Sequence, residues 1–204
     1  MARARTISTA HGPARVELRL AHDATAGLIL GHGAGGGIRA PDLVAASEAA
    51  AELSISVALV EQPYRVAGRR SPAPAHQLDT AWRAVVGNLS RRELRELRLV
   101  VGGRSAGARV ACRTAAATGA IAVLCLAFPL HPPGKADDPA KSRLGELDAV
   151  DLPVLVVQGE RDPFGMPPPG PQREVIRVSG DHSLRDGAAV RGAVASWLGE
   201  LVAN

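Results

Sequence analysis

The residues around Ser105 constrain the fold of this chain more than any other segment. An apolar, β-branched run at 97–102 leads into the motif Gly103-Arg104-Ser105-Ala106-Gly107, and an alanine-rich helical pattern at 105–118 follows directly. A strand that turns this sharply into a helix lifts the residue at the turn above the sheet, and the flanking glycines avoid a clash of Cβ atoms. The pattern predicts a serine whose hydroxyl projects from the end of a strand.

A serine hydroxyl becomes a nucleophile when a neighbouring base accepts its proton and a third group orients that base. Candidates for both roles occur later in the chain. The apolar run at 153–158 ends shortly before Asp162, and the short run at 173–178 ends shortly before His182. Because parallel strands of an α/β sheet present their carboxyl ends at one edge, Ser105, Asp162 and His182 are predicted to converge there.

Two other residues compete for the roles of orienting carboxylate and base. Ser105, Asp162 and His182 also each have a purely structural interpretation. Asp181 adjoins His182, but neighbouring side chains normally point apart, which favours Asp162 as the orienting carboxylate. His131 lies in a proline-rich loop and is the alternative base. Ser105 is also a suitable helix N-cap, Asp162 a suitable turn residue and His182 a suitable solvated loop residue.

Five motifs occur together, in one order, over about residues 26–184. They are Gly31–Gly36, Gly102–Gly107, Phe128–Lys135, Gln158–Pro163 and Gly180–Ser183. With these motifs the chain resembles the small, dienelactone hydrolase-like α/β-hydrolases, and among them the testis-expressed protein 30 family of serine hydrolases. Ser-Asp-His is also the chain order of the α/β-hydrolase fold.

This resemblance implies an α/β-hydrolase fold: a mostly parallel, doubly wound sheet with helices on both faces and a minimal or absent cap. It also implies a hydrolase of carboxylic esters with Ser105 as the nucleophile. Dienelactone hydrolases carry cysteine at this position, so their particular substrate does not transfer to this chain. His131 is expected, on the same resemblance, to line the pocket wall.

The glycine-rich loop after the strand at 26–31 has two interpretations. In a hydrolase, the backbone N–H groups of Ala34 and Ala106 would form an oxyanion hole, where each donor contributes about 10²–10³ in rate. The loop also fits the dinucleotide-binding pattern G-x-G-x-x-G over Gly31–Gly36, with Glu61 as a possible ribose ligand.

The start of the following helix discriminates between the two interpretations. Proline prefers the first helical position, so the helix is predicted to begin at Pro41. A helix that starts there is too far from the glycines for its N-terminus to bind a pyrophosphate. The hydrolase interpretation is therefore favoured, with no bound cofactor and no metal.

Two loops are expected to overhang the site, at 62–75 and 129–143. Both leave carboxyl ends of strands and carry basic residues, which either steer an anionic substrate or are simply solvated. Neither is long enough for a large lid, which argues against long-chain lipid substrates. The candidate substrate contacts are Gly33, Arg65, Arg104 and His131.

Composition limits the class of protein further. The chain of 204 residues predicts a single domain over 1–204, and an aromatic content of 2% predicts a core of alanine, valine and leucine. It has no apolar run long enough for a membrane span and no signal-peptide pattern, so a cytoplasmic location is expected. Cys112 and Cys125 are interpreted as reduced core thiols.

The formal net charge of +4 does not indicate a nucleic-acid partner. Arginines alternate with glutamates over 91–98, which is typical of a solvated helix with internal ion pairs. Few aromatic side chains are available for base stacking. The expected partner is a small acyl compound, with no nucleic acid and no membrane, and the sequence leaves the oligomeric state open.

Apolar strand patterns alternate with helical ones along most of the chain, which predicts βαβ units and a largely parallel sheet. The alternating segment 14–20 is predicted to be an antiparallel edge strand. The favoured function is a serine hydrolase that forms an acyl-enzyme on Ser105. A non-catalytic interaction protein on the same scaffold is the alternative, because a fold does not fix a function.

Overall fold

The computed structural model describes residues 3–203. The strands are β1 (Arg3–Thr9), β2 (Gly12–Arg19), β3 (Ala26–Gly31), β4 (Ser56–Glu61), β5 (Arg98–Arg104), β6 (Ala122–Leu126), β7 (Val154–Gly159) and β8 (Arg173–Val178). The helices are α1 (Pro41–Glu52), α2 (Pro63–Val66), α3 (Ala75–Ser90), α4 (Ala106–Thr118), α5 (Leu144–Asp148) and α6 (Gly187–Ala203).

All of these strands belong to one sheet, in the order β1-β2-β4-β3-β5-β6-β7-β8. Neighbouring strands from β4 to β8 in this order run parallel, whereas β2 is antiparallel to both β1 and β4. The carboxyl ends of β3, β5, β7 and β8 therefore lie at the same edge, and the loops that leave them meet there. The predicted fold class, a mostly parallel sheet with helices on both faces, is confirmed.

Apolar side chains fill the space on both faces of the sheet. On one face, α3 and α4 cover the sheet with residues that include Trp82, Leu89 and Val110. On the other face, α1 packs against α6, with Leu43 and Trp197 in the core. The central strands β3, β6 and β7 are buried along their whole length, which explains their continuous apolar sequences.

Some details of the sequence prediction were wrong. The segment 14–20 lies in β2 and is antiparallel as expected, but β1 and not β2 forms the edge of the sheet. Strand β1 escaped prediction because Ile7 is its one buried residue, so it lacks an apolar alternation. The loop at 62–75 begins with α2, and the short helix α5 directly follows the loop at 129–143.

The two cysteines lie side by side inside the protein. Cys112 on α4 and Cys125 on β6 are both buried free thiols, with their Sγ atoms 3.5 Å apart. The hydrogen bond between them, together with burial, raises the pKa of the Cys125 thiol. This agrees with the prediction of reduced core thiols.

Candidate active site

Ser105 occupies the sharp turn between β5 and α4. Its backbone angles, φ 52° and ψ −109°, lie in a region that residues other than glycine rarely adopt. The turn presses against the end of β3, because a Cβ atom at Gly103 or Gly107 would collide with the carbonyl oxygen of Gly31. Glycine is thus required on both sides of Ser105, as the motif predicted.

Asp162 and His182 lie on two neighbouring loops, after β7 and β8. The backbone joins these loops: Glu160 N donates to the Val178 carbonyl, and Arg161 N donates to the Gly180 carbonyl, both at 2.9 Å. The adjacent parallel strands therefore hold the carboxylate and the imidazole at fixed relative positions.

The three side chains form a hydrogen-bonded chain at the edge of the sheet. His182 Nε2 lies 2.9 Å from Ser105 Oγ, and His182 Nδ1 lies 2.8 Å from Asp162 Oδ2. An ionised carboxylate only accepts hydrogen bonds, so the imidazole proton resides on Nδ1 and Nε2 is left to accept the serine proton. This arrangement can transfer a proton from Ser105 to His182.

Two residues that the sequence did not single out hold Asp162 in place. Gln158, which is buried on β7, donates from Nε2 to Oδ2 of Asp162 at 2.8 Å. The backbone N–H of Phe164 donates to Oδ1 at 2.8 Å. The Phe164 ring also packs on the His182 imidazole, with ring centroids 4.2 Å apart. The sequence signal that could have identified Gln158 is the occurrence of a single polar residue in an otherwise apolar strand.

The glycine-rich loop after β3 is held by His32. The N–H of Gln62 donates to Nε2 of His32 at 3.1 Å, so the ring carries its proton on Nδ1 and donates to the Gly33 carbonyl at 2.7 Å. Burial lowers the pKa of His32, which keeps the ring neutral. Because a peptide unit is planar and trans, fixing the Gly33 carbonyl also fixes the direction of the Ala34 N–H.

Tyr64 on α2 supports the same loop from the other side. Its hydroxyl donates to the carbonyl of Ala34 at 2.9 Å, and its ring lies against His32, with centroids 5.7 Å apart. The loop packs against the serine turn, since a Cβ atom on Gly33 would come within 3.5 Å of Ser105 Cβ. Ala106 is the first residue of α4, so its N–H has no intrahelical acceptor.

The competing residues lie elsewhere. Asp181 accepts hydrogen bonds from the N–H and the hydroxyl of Ser183, and these bonds lower the pKa of Asp181. His131 hydrogen-bonds through Nδ1 to the Pro132 carbonyl, and its Nε2 faces Gly165. The structure therefore brings Asp162 and His182, and not Asp181 or His131, to Ser105.

The remaining candidate substrate contacts have varied surroundings. Arg65, on α2, is partly exposed, and its charge acts on His32 and Tyr64. Gly33 lies between Ser105 and Arg104. The Arg104 guanidinium contacts other parts of the protein, namely Asp42 and the backbone of His182. A substrate contact by Arg104 stays a prediction.

The glycine loop lacks the packing of a dinucleotide site. In such sites the third glycine of the motif permits close packing of the helix on the strand. A Cβ atom on Gly36 would have no neighbour within 4 Å, and α1 begins only at Pro41, as predicted. The hydrolase interpretation of this loop is therefore favoured by the structure as well.

Two features are absent from residues 3–203. No cluster of three or more histidine, cysteine, aspartate or glutamate side chains in that range could hold a metal ion. Within the same range, no helix combines the length and the apolar character needed to cross a membrane.

Comparison with known proteins identifies the family. A family described as an alpha/beta hydrolase domain matches residues 24–187, which is most of the chain and includes the serine turn and both loops. The chain belongs to the α/β-hydrolase family. A search of curated protein sequences gives no match. The narrower resemblance to the testis-expressed protein 30 family stays a prediction.

Solved α/β-hydrolase structures share the fold over nearly their whole length. XC6422 from Xanthomonas campestris, described as an α/β serine hydrolase without a lid, has a TM-score of 0.73 at 21% identity, over 96% of this chain and 94% of its own. Est1E from Butyrivibrio proteoclasticus has a TM-score of 0.79 at 16% identity, over 98% and 99%. Dienelactone hydrolase from Anabaena variabilis has a TM-score of 0.75 at 17% identity, over 98% and 95%.

Proposed function

We propose that this α/β-hydrolase cleaves small carboxylic esters, thioesters or similar acyl compounds through an acyl-enzyme on Ser105. The observation that carries the proposal is the hydrogen-bonded chain from Ser105 Oγ through the His182 imidazole to Asp162, at 2.9 and 2.8 Å. In this role Ser105 is the nucleophile, His182 the general base and Asp162 the group that fixes the imidazole tautomer.

Acylation begins when Ser105 Oγ attacks the acyl carbon and its proton moves to Nε2 of His182. The carbonyl oxygen becomes negatively charged, and the N–H groups of Ala34 and Ala106 stabilise it. When the tetrahedral intermediate collapses, the bond to the leaving group breaks and His182 donates the proton to the departing alcohol or thiol. The acyl group remains bonded to Ser105.

Deacylation repeats the sequence with water. His182 accepts a proton from the water molecule, whose oxygen attacks the acyl carbon. The second tetrahedral intermediate then releases the carboxylic acid, and His182 returns the proton to Ser105 Oγ. The enzyme ends in its original state, and the net reaction consumes one water molecule per ester.

The size of the substrate is inferred from the loops around Ser105. The segments 62–75 and 129–143 form short helical turns and irregular loops, not a folded cap. The related fold of XC6422 is likewise described as having no lid. An uncovered site provides little apolar surface for a long acyl chain, so short or aromatic acyl groups fit the proposal best. Est1E has been described with ferulic acid bound, so an aromatic ester belongs among the test substrates.

Labelling with a fluorophosphonate probe tests the proposal directly. We expect the intact protein to be labelled on Ser105, as located by mass spectrometry, and to hydrolyse p-nitrophenyl acetate. The variant Ser105→Ala should lose labelling and at least about 10³-fold in turnover, because attack on the ester requires this hydroxyl. Ser142→Ala, which removes an exposed serine far from His182 along the chain, is the matched control and should behave as wild type.

The same experiment discriminates between the proposal and its alternative. A folded wild-type protein that neither reacts with the probe nor hydrolyses acetyl, butyryl or feruloyl esters would indicate a non-catalytic interaction protein. Turnover by Ser105→Ala at the wild-type rate would assign the chemistry to another residue.

A further inference from the structure

Arg104, the residue before the nucleophile, connects three parts of the site. Its Nη2 donates to the backbone carbonyl of His182 at 2.9 Å. Its Nε lies 2.9 Å from Oδ2 of Asp42. Its Nη1 lies over Gly33, where a Cβ atom would come within 2.8 Å of it. One guanidinium therefore contacts the loop of the base, the glycine loop and the start of α1.

Asp42 has no solvent contact and few partners. It lies in the first turn of α1, and Oδ1 accepts a hydrogen bond from the N–H of Leu43 at 2.9 Å. Oδ2 and the Arg104 Nε are close but poorly aligned, so the two groups form an ion pair without a good hydrogen bond. The positive charge of Arg104 partly offsets the cost of burying the Asp42 carboxylate.

Such a pair is a weak source of stability. Removing two charges from water costs as much as their attraction returns, so buried ion pairs often contribute nothing net to folding. Burial also raises the pKa of Asp42 to about 6, which shows that the ionised form is disfavoured. A role in the function of the site explains the pair better than a role in stability.

The contact with His182 indicates what that role is. The loop after β8 has no regular secondary structure and includes two residues at positive φ, Gly180 and Leu184. Holding the carbonyl of His182 fixes the backbone from which the imidazole extends. Small displacements of a catalytic group, of the order of 1 Å, can reduce a rate about 10²-fold.

We propose that Arg104 is a positioning residue that holds the His182 loop against the serine turn, and that Asp42 anchors Arg104 for this purpose. This inference rests on the proposed function, in which His182 is the base. It assigns Arg104 a role other than the substrate contact that the sequence predicts.

Three variants separate positioning from folding. Arg104→Met removes the donor and the charge but leaves Asp42 buried and unpaired, so it is expected to be unstable. The double variant Asp42→Asn/Arg104→Met removes both charges and should recover the melting temperature of the wild type to within a few degrees. Arg104→Lys keeps the positive charge but replaces the planar guanidinium, whose N–H groups reach several acceptors, with a single ammonium group.

We expect the double variant to fold and yet to lose about 10- to 100-fold in kcat for p-nitrophenyl acetate, with KM changed less than about threefold. Arg104→Lys should recover part of this loss. The control is Arg191→Met, which breaks an exposed ion pair between α6 and Glu52 of α1 and should leave kcat unchanged. A double variant with wild-type kcat, or one altered only in KM, would overturn the proposal.

A second readout does not depend on turnover. The Nδ1 proton of an imidazole that is hydrogen-bonded to a carboxylate gives a proton NMR signal far downfield of the amides, and His182→Gln identifies it by its loss. We expect the signal in wild type and Arg191→Met, and its broadening or loss in the double variant. An unchanged signal would refute positioning by Arg104 even in an active enzyme, whereas absence of ester hydrolysis with a normal wild-type signal would refute only the proposed function.

Discussion

Gln158 and His182 approach the same oxygen atom of Asp162. Nε2 of Gln158 and Nδ1 of His182 both lie 2.8 Å from Oδ2, and Nε2 of Gln158 also faces the carbonyls of Phe128 and Gly165 at 3.1 and 2.9 Å. Because Gln158 belongs to β7, the sheet itself orients the carboxylate. The loop that carries Asp162 is thus connected to the rigid part of the fold at the point where precision matters.

Replacing Gln158 by methionine tests this connection. The substitution preserves size but removes the two N–H donors of Nε2, which are shared among Asp162 Oδ2, the buried Phe128 carbonyl and the partly buried Gly165 carbonyl. Each buried group left unsatisfied costs about 1–3 kcal/mol. We expect the free energy of unfolding, measured with urea, to fall by at least about 2 kcal/mol, and kcat to fall about 10-fold. The control is Gln172→Met, at an exposed position, and equal effects of the two substitutions would contradict the argument.

The hydrogen bond from Tyr64 to Ala34 gives a second prediction. Tyr64→Phe removes only the hydroxyl. The Ala34 peptide is then held only through the hydrogen bond between His32 and the Gly33 carbonyl. We expect a loss of stability of about 1 kcal/mol and a fall in kcat of about 3- to 10-fold, with KM nearly constant, because the Ala34 N–H, as the proposed oxyanion donor, acts on the transition state. Turnover of p-nitrophenyl acetate measures both constants, and a change confined to KM would place Tyr64 in substrate binding.

The strained backbone of Ser105 gives a third prediction. Positive φ costs a residue with a side chain about 1–3 kcal/mol, whereas glycine adopts it freely but loses about 0.5–1 kcal/mol of chain entropy on folding. We therefore expect Ser105→Gly to be more stable than Ser105→Ala by about 1 kcal/mol in urea denaturation. Ala117→Gly, at an exposed position in the last turn of α4, should instead be less stable than its alanine parent. A Ser105→Ala variant that is as stable as Ser105→Gly would show that the turn is not strained.

The sequence was sufficient to predict that three distant residues would meet. Each of Ser105, Asp162 and His182 follows an apolar strand pattern, and parallel strands carry their carboxyl ends to one edge. The glycines around Ser105 have a steric requirement that can be recognised in a single sequence. Patterns of this kind can be recognised in the sequence because each depends on the residues of a single strand or turn.

The supporting contacts could not be predicted in the same way. The pairing of Asp42 with Arg104 joins residues far apart in the chain, and Asp42 by itself fits the usual preference for an acidic residue in the first turn of a helix. Aromatic residues are rare in this chain, in which Tyr64 is the only tyrosine and Phe164 is one of two phenylalanines. Their occurrence close to the candidate site residues could therefore have indicated that they belong to the site. The sequence does not indicate which atoms Tyr64 and Phe164 contact, because those contacts depend on how distant segments pack.

The pH dependence of stability gives the last prediction, and it concerns Asp42. Burial raises the pKa of Asp42 from an ordinary 3.8 to about 6, although Arg104 partly opposes this. The folded protein therefore binds a proton more tightly than the unfolded chain. The contribution of this group to stability is full below pH 3.8 and is lost as the pH rises through about 6, which amounts to about 3 kcal/mol.

Asp42→Asn has no such titration, and comparison with it cancels the other groups that titrate in the same range. Between pH 4 and pH 7, we expect the difference in unfolding free energy to shift by about 2 kcal/mol in favour of Asp42→Asn, which is less than the full value because the unfolded carboxyl is already partly ionised at pH 4. Urea denaturation at intervals of one pH unit measures this shift. A constant difference between wild type and Asp42→Asn over this range would show that Arg104 fully compensates the burial of the carboxylate, in which case anchoring Arg104 carries no cost in stability.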